Sequence, residues 1–296
     1  MSDLETLLAE SLDRYRVSGK QPLDLDRRAT REARAAAYDK LSGQHQLRRA
    51  SARIADLQQR LYAERSRSVL LVLQAMDAGG KDGTIRHVFA GVDPQGLSIV
   101  AFKAPTGEEL AHDVLWRVHR AAPARGVIGV FNRSHYEDVL VSRVHPDLLA
   151  QQSLSPSVAD DPAFWDARFA DIRAFERLLA RQGTRIVKVF LHLGRDEQKK
   201  RLQARLDDPA KLWKVYVGDL RERARWDDYK HAYAAAIAAT SRAEAPWFVV
   251  PADQKWFARL IVAEIVLDAL QNLDLRAPTP TAEQTAQIAE VRRQLA

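Results

Sequence analysis

The chain has 296 residues, 46% of them hydrophobic, which is enough for one large α/β domain or two smaller ones. It contains no cysteine, so disulfides, thiolate metal sites and cysteine nucleophiles are excluded, and no stretch approaches the ~18 uncharged apolar residues of a membrane span. Lys and Arg number 45 against 39 Asp and Glu, a net charge of +6 that suits a polyanionic partner without choosing among nucleic acid, anionic lipid and a phosphorylated substrate.

The opening "MSDLETLLAESLDRYR" is acidic and amphipathic and has no signal-peptide core, so a cytoplasmic protein is expected. Residues 27–66 are rich in Arg, Ala and Leu and read as helical, with a break predicted at "LSGQ" (41–44). Five β-branched runs then follow: "VLLVLQAM" (69–76), "LSIVAFK" (97–103), "VIGVFN" (127–132), "RIVKVFLHL" (185–193) and "PWFVVPA" (246–252). Four are nearly continuous in apolar residues, as strands buried on both faces are. Helix-length segments separate them, and this β-α-β-α order predicts a parallel sheet covered on both sides.

Between the second and third strands, residues 108–123 predict one helix that buries Leu110, Val114, Leu115 and Val118 and presents Arg117 and Arg120. Asp161-Pro162 caps and opens a helix that Gly183 closes. A helical block over 196–240 is interrupted only at Asp207-Asp208-Pro209, and "RAPTPT" breaks the chain before a short helix over 282–295. The organisation expected is a helical N-terminal extension (1–66), one α/β core (67–275) with the helical insertion at about 195–240, and a C-terminal tail helix (276–296).

The chemistry concentrates after the first strand, in "LQAMDAGGKDGTIRH" (73–87). A strand, a Gly-rich turn and a helix start together make a phosphate loop, because outward-pointing N–H groups and the helix dipole favour an anion. Gly79, Gly80 and Gly83 let the backbone wrap an oxygen cluster, and Lys81 supplies a movable positive charge. An ordinary strand–helix turn needs only one or two glycines. The loop departs from Gly-x-x-x-x-Gly-Lys-Ser/Thr at both ends: Ala75 stands at the first glycine, and Asp82 replaces the hydroxyl residue after the lysine, with Thr84 two residues on. Asp77, at the strand end, either helps hold a hard cation or bonds turn N–H groups.

Ligands of parallel sheets sit beyond the C-terminal strand edges, which places Asn132, Arg133, His135, Glu137 and Asp138 at the mouth of this loop. Arg133 is suited to clamp a phosphate with two parallel hydrogen bonds. After the fourth strand, "RDEQKKRLQARLDDPAKLWKVYVGDLRERARWDDY" (195–229) has only a thin apolar stripe, Leu202 and Leu206, beneath Lys199, Lys200, Arg201 and Arg205. Beside a phosphate loop, such a basic helix reads as a cover that excludes water from a transferring phosphoryl group rather than as a solvated charge run.

The strings "AMDAGGKDGT", "FKAPTGEELAHDVLWRVHR", "GVFNRSHYEDVLVSRVH", "LHLGRDEQKKRLQARLDDPAKLWK", "GDLRERARWDDY" and "APWFVVPADQKWF" resemble successive blocks of the polyphosphate kinase 2 family. The resemblance runs in order from about Leu23 to Leu273. It implies a three-layer α/β/α P-loop kinase with a five-stranded parallel sheet and a helical lid. The implied reaction carries a terminal phosphoryl group from inorganic polyphosphate to a nucleotide with Mg2+, or alternatively Mn2+. On this resemblance Lys81 is the loop lysine, Asp77 the catalytic or metal-holding acid, Arg133 a phosphate clamp, and Arg201 and Arg205 lid arginines. Gly79, Gly80, Asp82, Gly83, Thr84 and Lys214 join them on phosphate, while Lys103, Arg117, Arg120, Asn132 and Glu137 face the acceptor nucleotide. Many members carry aspartate where this chain has Asn132.

"NRSHYED" and "GGKDGT" look like class III, whose members phosphorylate nucleoside mono- and diphosphates; there Glu137 replaces an asparagine of the diphosphate-preferring type. The family also implies dimers or tetramers, with neither membrane nor nucleic acid as partner. Two rival readings remain at this point. One is an ATP-using nucleotide kinase. The other is a nucleic-acid-binding protein with a degenerate loop, whose Arg-rich helices over 27–65 track phosphates, although no binding motif of that kind is present.

Overall fold

The structure, a computed structural model, describes residues 3–19, 21–276 and 278–296. Ala277, inside the break expected at "RAPTPT", lies outside the described residues, as do Met1 and Ser2 of the opening segment. The elements begin with α1 (Asp3–Tyr15), β1 (Arg16–Val17), α2 (Lys40–Glu64), β2 (Ser68–Ala75), α3 (Lys81–Val88) and β3 (Leu97–Ala101). Next come α4 (Gly107–Leu110), α5 (Trp116–Ala121), β4 (Ile128–Asn132), α6 (Glu137–Val144), α7 (Pro162–Arg181) and β5 (Thr184–His192). The order closes with α8 (Arg195–Leu206), α9 (Gly218–Ala224), α10 (Trp226–Thr240), β6 (Trp247–Pro251), α11 (Lys255–Gln271) and α12 (Ala282–Leu295).

All five predicted strands are present, and they pair in parallel. The sheet nevertheless has six strands, in the order β1-β6-β5-β2-β4-β3, and is mixed. The sixth is β1, two residues laid antiparallel on the edge at Arg16↔Phe248 and Val17↔Trp247. Two residues are too few for any periodicity to announce a strand, so the expectation of five parallel strands is corrected here.

Central β2 is buried along its whole length. Its odd residues, Val69, Leu71 and Leu73, join a core with α1, α2, α3 and α11, while Leu70 and Val72 pack against α6, α7 and α10 on the other face. Burial on both faces explains why the run is apolar without alternation.

Two helix expectations change. "LSGQ" does not break α2, which begins at Lys40 under an Asp39 cap accepting from the Ser42 N–H at 2.8 Å. Gly43 serves close packing instead, since a Cβ there would lie 2.2 Å from the Trp256 ring. Residues 108–123 form no single helix but two short ones, α4 and α5, with Asp113 accepting from the Leu115 N–H at 2.9 Å between them. Of the four apolar residues expected inside, only Val118 is fully buried. Asp161 and Pro162 start α7 as read, and Gly183 follows its end with φ +93°.

Candidate active site

β2 and β4 are parallel neighbours, β2 running two residues beyond the Leu73↔Asn132 pair that ends β4, so the loops that follow them share one edge. After β2 the chain turns through Ala78 (φ 59°) and Gly80 (φ 98°) into α3. Gly79 is required by space: a Cβ would meet that of Ala75 at 2.4 Å and the Met76 carbonyl at 2.8 Å. Lys81 folds back across the turn and donates to the Ala75 carbonyl at 3.0 Å. Burial and the neighbouring Arg133 guanidinium push its ammonium down to about 8, against the pull of Asp77, Glu137 and Asp82. The site therefore holds its lysine in want of an anion.

Arg133, the first residue after β4, has φ 63°, a region that non-glycine residues occupy only where their surroundings enforce it. Its guanidinium bridges two carboxylates, donating to Asp77 at 3.2 Å and to Glu137 at 3.0 Å. Glu137 foremost, and then Asp77, hold its charge more firmly than usual in spite of burial. Asn132 donates to Asp82 at 2.9 Å, and the other oxygen of Asp82 accepts from Lys214 at 3.2 Å.

Helix α8 closes over the loop. Gln198 donates to the Asp77 carbonyl at 2.9 Å, and buried Arg201 donates to the carbonyls of Ala78, Gly79, Ala252 and Asp253. Arg205 pairs with Asp219 of α9 at 3.4 Å. Together these elements enclose a cleft of about 1000 Å³ lined by ten basic side chains and three carboxylates, an imbalance that calls for a polyanion.

The structure brings Asp77, Gly79, Gly80, Lys81, Asp82, Gly83, Thr84, Lys103, Asn132, Arg133, Arg201, Arg205 and Lys214 to this cleft. Glu137 stands against Arg133 rather than on the cleft wall. Arg117 and Arg120 lie elsewhere. Arg117 is buried, donating to the Lys103 carbonyl at 2.9 Å beside the Phe102 ring, and exposed Arg120 stacks on Trp116. Of the residues expected at the mouth, His135, two residues before α6, is buried, and Asp138 on the first turn of α6 faces Arg117 away from the cleft. Burial pushes the Asp138 carboxyl up to about 6 against the pull of Arg117 and Arg168. Arg86, Lys211, Asp219, Lys255 and Arg259 also line the cleft and escaped the sequence reading. The strand-edge rule, applied to the fifth predicted strand as it was to the third, points to Lys255 and Arg259.

An α/β sheet with a glycine-rich loop at its central C-terminal edge, under a basic roof, defines a phosphate-binding protein. Residues 37–278 match the family described as Polyphosphate kinase 2 (PPK2), and the chain belongs to that family. It is 45% identical over 282 residues to an ADP-polyphosphate phosphotransferase of Rhodopseudomonas palustris, covering 95% of this chain and 97% of that one. An AMP/ADP-polyphosphate phosphotransferase of Meiothermus ruber is 46% identical over 269 residues, covering 91% and 96%. The crystal structure of a polyphosphate kinase 2 from Arthrobacter aurescens superposes with a TM-score of 0.86 at 44% identity, covering 96% of each chain.

Proposed function

We propose that this cleft transfers the terminal phosphoryl group of inorganic polyphosphate to AMP and ADP, forming ADP and ATP. The observation that carries it is the surplus of ten basic side chains over three carboxylates around a phosphate loop, in a chain of this family. A phosphate oxygen of the nucleotide attacks the terminal phosphorus of the chain, and the bridging oxygen leaves on a polyphosphate one unit shorter. The protein's part is positioning and charge stabilisation of a loose transition state. Lys81 and Arg133 meet the transferring group from the floor, while Arg205 and Lys214 meet it from above, and Lys103 and Asn132 face the acceptor.

In this reading the fold is of the P-loop kinase type and residues 195–240 act as its lid. Two observations support it: α8 reaches the loop through Arg201 and Gln198, and α9 carries Asp219 to the cleft. Mg2+, or Mn2+ in its place, fits the donor set. Among the described residues no three His, Asp or Glu side chains form a metal cage, whereas Asp77, Asp82 and Asp219 all reach the cleft. Magnesium is commonly held by one or two carboxylates with substrate phosphates and water completing its shell, and it would neutralise charge on the phosphates. Asp77 is the ligand proposed here.

The test is to incubate the purified protein with AMP, Mg2+ and long-chain polyphosphate in the absence of ATP. ADP followed by ATP is expected. Phosphorylation of AMP by ATP alone, with polyphosphate inert, overturns the reading in favour of a nucleotide kinase.

A further inference from the structure

The loop from β4 to α6 has two faces. Arg133 and Glu137 form the charged group that meets Asp77 at the cleft, whereas Ser134, His135 and Tyr136 point into the protein and are 0, 1 and 0% exposed. The inward face ends on a buried ion pair that the reaction does not use. Glu176 of α7 accepts from the Tyr136 hydroxyl at 2.9 Å and lies 3.4 Å from His135 Nε2 through one oxygen, and takes Lys188 of β5 on the other. Lys188 spends its two remaining N–H groups on the Tyr136 hydroxyl and the Thr240 carbonyl, both at 3.0 Å. The Thr240 hydroxyl, at the end of α10, is in turn bound by Trp247 Nε1 of β6 at 2.9 Å. Four elements thus converge on two residues of one loop.

Stability does not account for this arrangement. Burying two charges costs desolvation that their attraction seldom more than repays, and replacing such pairs with apolar residues is often neutral or stabilising. Nδ1 of His135 has no partner among the described residues, but every charge and hydroxyl of the cluster is paired, and such pairing provides one fixed geometry, because the alternatives leave a charge or a hydroxyl unpaired. The loop needs such enforcement. Arg133 occupies the left-handed region, and its two-carboxylate bridge depends on that backbone direction.

We propose that the Lys188–Glu176 pair is a positioning device for phosphoryl transfer: by clamping His135 and Tyr136 from beneath, it holds Arg133 aimed between Asp77 and the transferring phosphate. The proposal rests on the reading of the cleft as the phosphotransfer site. Lys188 and Glu176 touch no substrate and act through Arg133, so their effect belongs in turnover rather than in substrate affinity.

The decisive variant is the double substitution Glu176→Gln/Lys188→Met, which removes both charges together and leaves none unpaired. A melting temperature close to that of the wild type is expected, with KM for polyphosphate and for AMP changed less than about threefold and kcat lowered at least tenfold. Adding Arg133→Ala to this background should cost far less than Arg133→Ala costs alone, since the two act on the same contact. Tyr136→Phe, which removes one of the two links from loop to pair and leaves that of His135, should lower kcat in the same sense by a smaller factor, and it decides the matter alone if the double variant does not fold. Wild-type kcat in a folded variant, or additive losses with Arg133→Ala, overturns the positioning role. A wild-type protein inert toward polyphosphate overturns the proposed function itself, and the two failures are therefore distinct.

Discussion

The floor and the roof of the cleft are built from opposite materials. On the floor, the loops after β2 and β4 rest on a core sealed on both faces of the sheet, and Lys81 and Arg133 are each held by defined partners. On the roof, the 3-10 turn Pro209–Lys214 and α9 bury none of their own residues. Leu206, Leu212, Trp213, Tyr216, Val217 and Leu220 are all exposed there, Val217 by 72%. The roof's cleft-facing charges each have a single carboxylate, Lys214 pairing with Asp82 at 3.2 Å and Arg205 with Asp219 at 3.4 Å, where Arg133 on the floor has two. A floor fixed in advance suits groups that must meet charge as it develops, without reorganising. Few buried contacts hold these roof segments, as is usual of the less stable parts of a fold.

The largest effect that separates floor from roof should come from Lys81→Ala. Removing a donor aimed at developing charge typically costs ~10²–10³ in rate. Steady-state turnover should fall at least a hundredfold in a variant no less stable than the wild type at pH 7, and retention of more than about a tenth of the activity breaks the floor assignment.

Arg201 sharpens the contrast, because it sits on the basic helix yet belongs to the floor. Its guanidinium is buried and satisfies four carbonyls that its loss would leave unpaired. Arg201→Ala should destabilise the fold by about 2–4 kcal/mol, read by denaturant unfolding, in addition to lowering activity. Arg205→Ala, on the roof proper, should behave differently. Stability should change by less than ~0.5 kcal/mol, while kcat/KM for polyphosphate falls roughly tenfold, the worth of one charge-assisted contact. Equal thermal shifts in the two variants would erase the distinction between them.

The floor was legible from the sequence and much else was not, for a physical reason. Four of the five strands declared themselves because burial on both faces demands nearly continuous apolar runs, edge strand β3 being partly exposed, and the phosphate loop did so because its residues are contiguous from Asp77 to Thr84. Features that depend on distant partners left no such trace. Gly43 reads as a helix break until Trp256 is seen packed upon it. Arg201 reads as one of five basic residues on α8, and only the docking of α8 on the loop singles it out. Arg117 reads as presented to the acceptor but is folded under Lys103 by the turn at Asp113. Lys188 interrupts an apolar strand with no hint that Glu176 waits on the preceding helix.

The smallest expected effect is in pH dependence, and it tests whether the floor is set for an anion before one arrives. Lys81 is enclosed and sits beside Arg133, and these two influences outweigh Asp77, Glu137 and Asp82 to bring its ammonium down to about 8 from an ordinary 10.5. The charged form does the work, so kcat/KM, which reports the free enzyme, should be half lost near pH 8 and fall tenfold per unit above it. Bound polyphosphate adds negative charge next to the ammonium and restores its proton affinity, so the alkaline limb of kcat should lie higher than that of kcat/KM. The same depression has a stability consequence of definite sign. Between pH 8 and 10.5 the unfolded chain binds a proton that the folded chain has lost, so Lys81 contributes a stability that rises with pH through this window. Lys81→Met removes the ionisation, and the variant should therefore be more stable than the wild type at pH 7, with the gap closing as pH approaches 10. Alkaline limbs of kcat and kcat/KM that coincide near 10 would show a lysine no different from one in water, and a floor that acquires its electrostatics only when substrate binds.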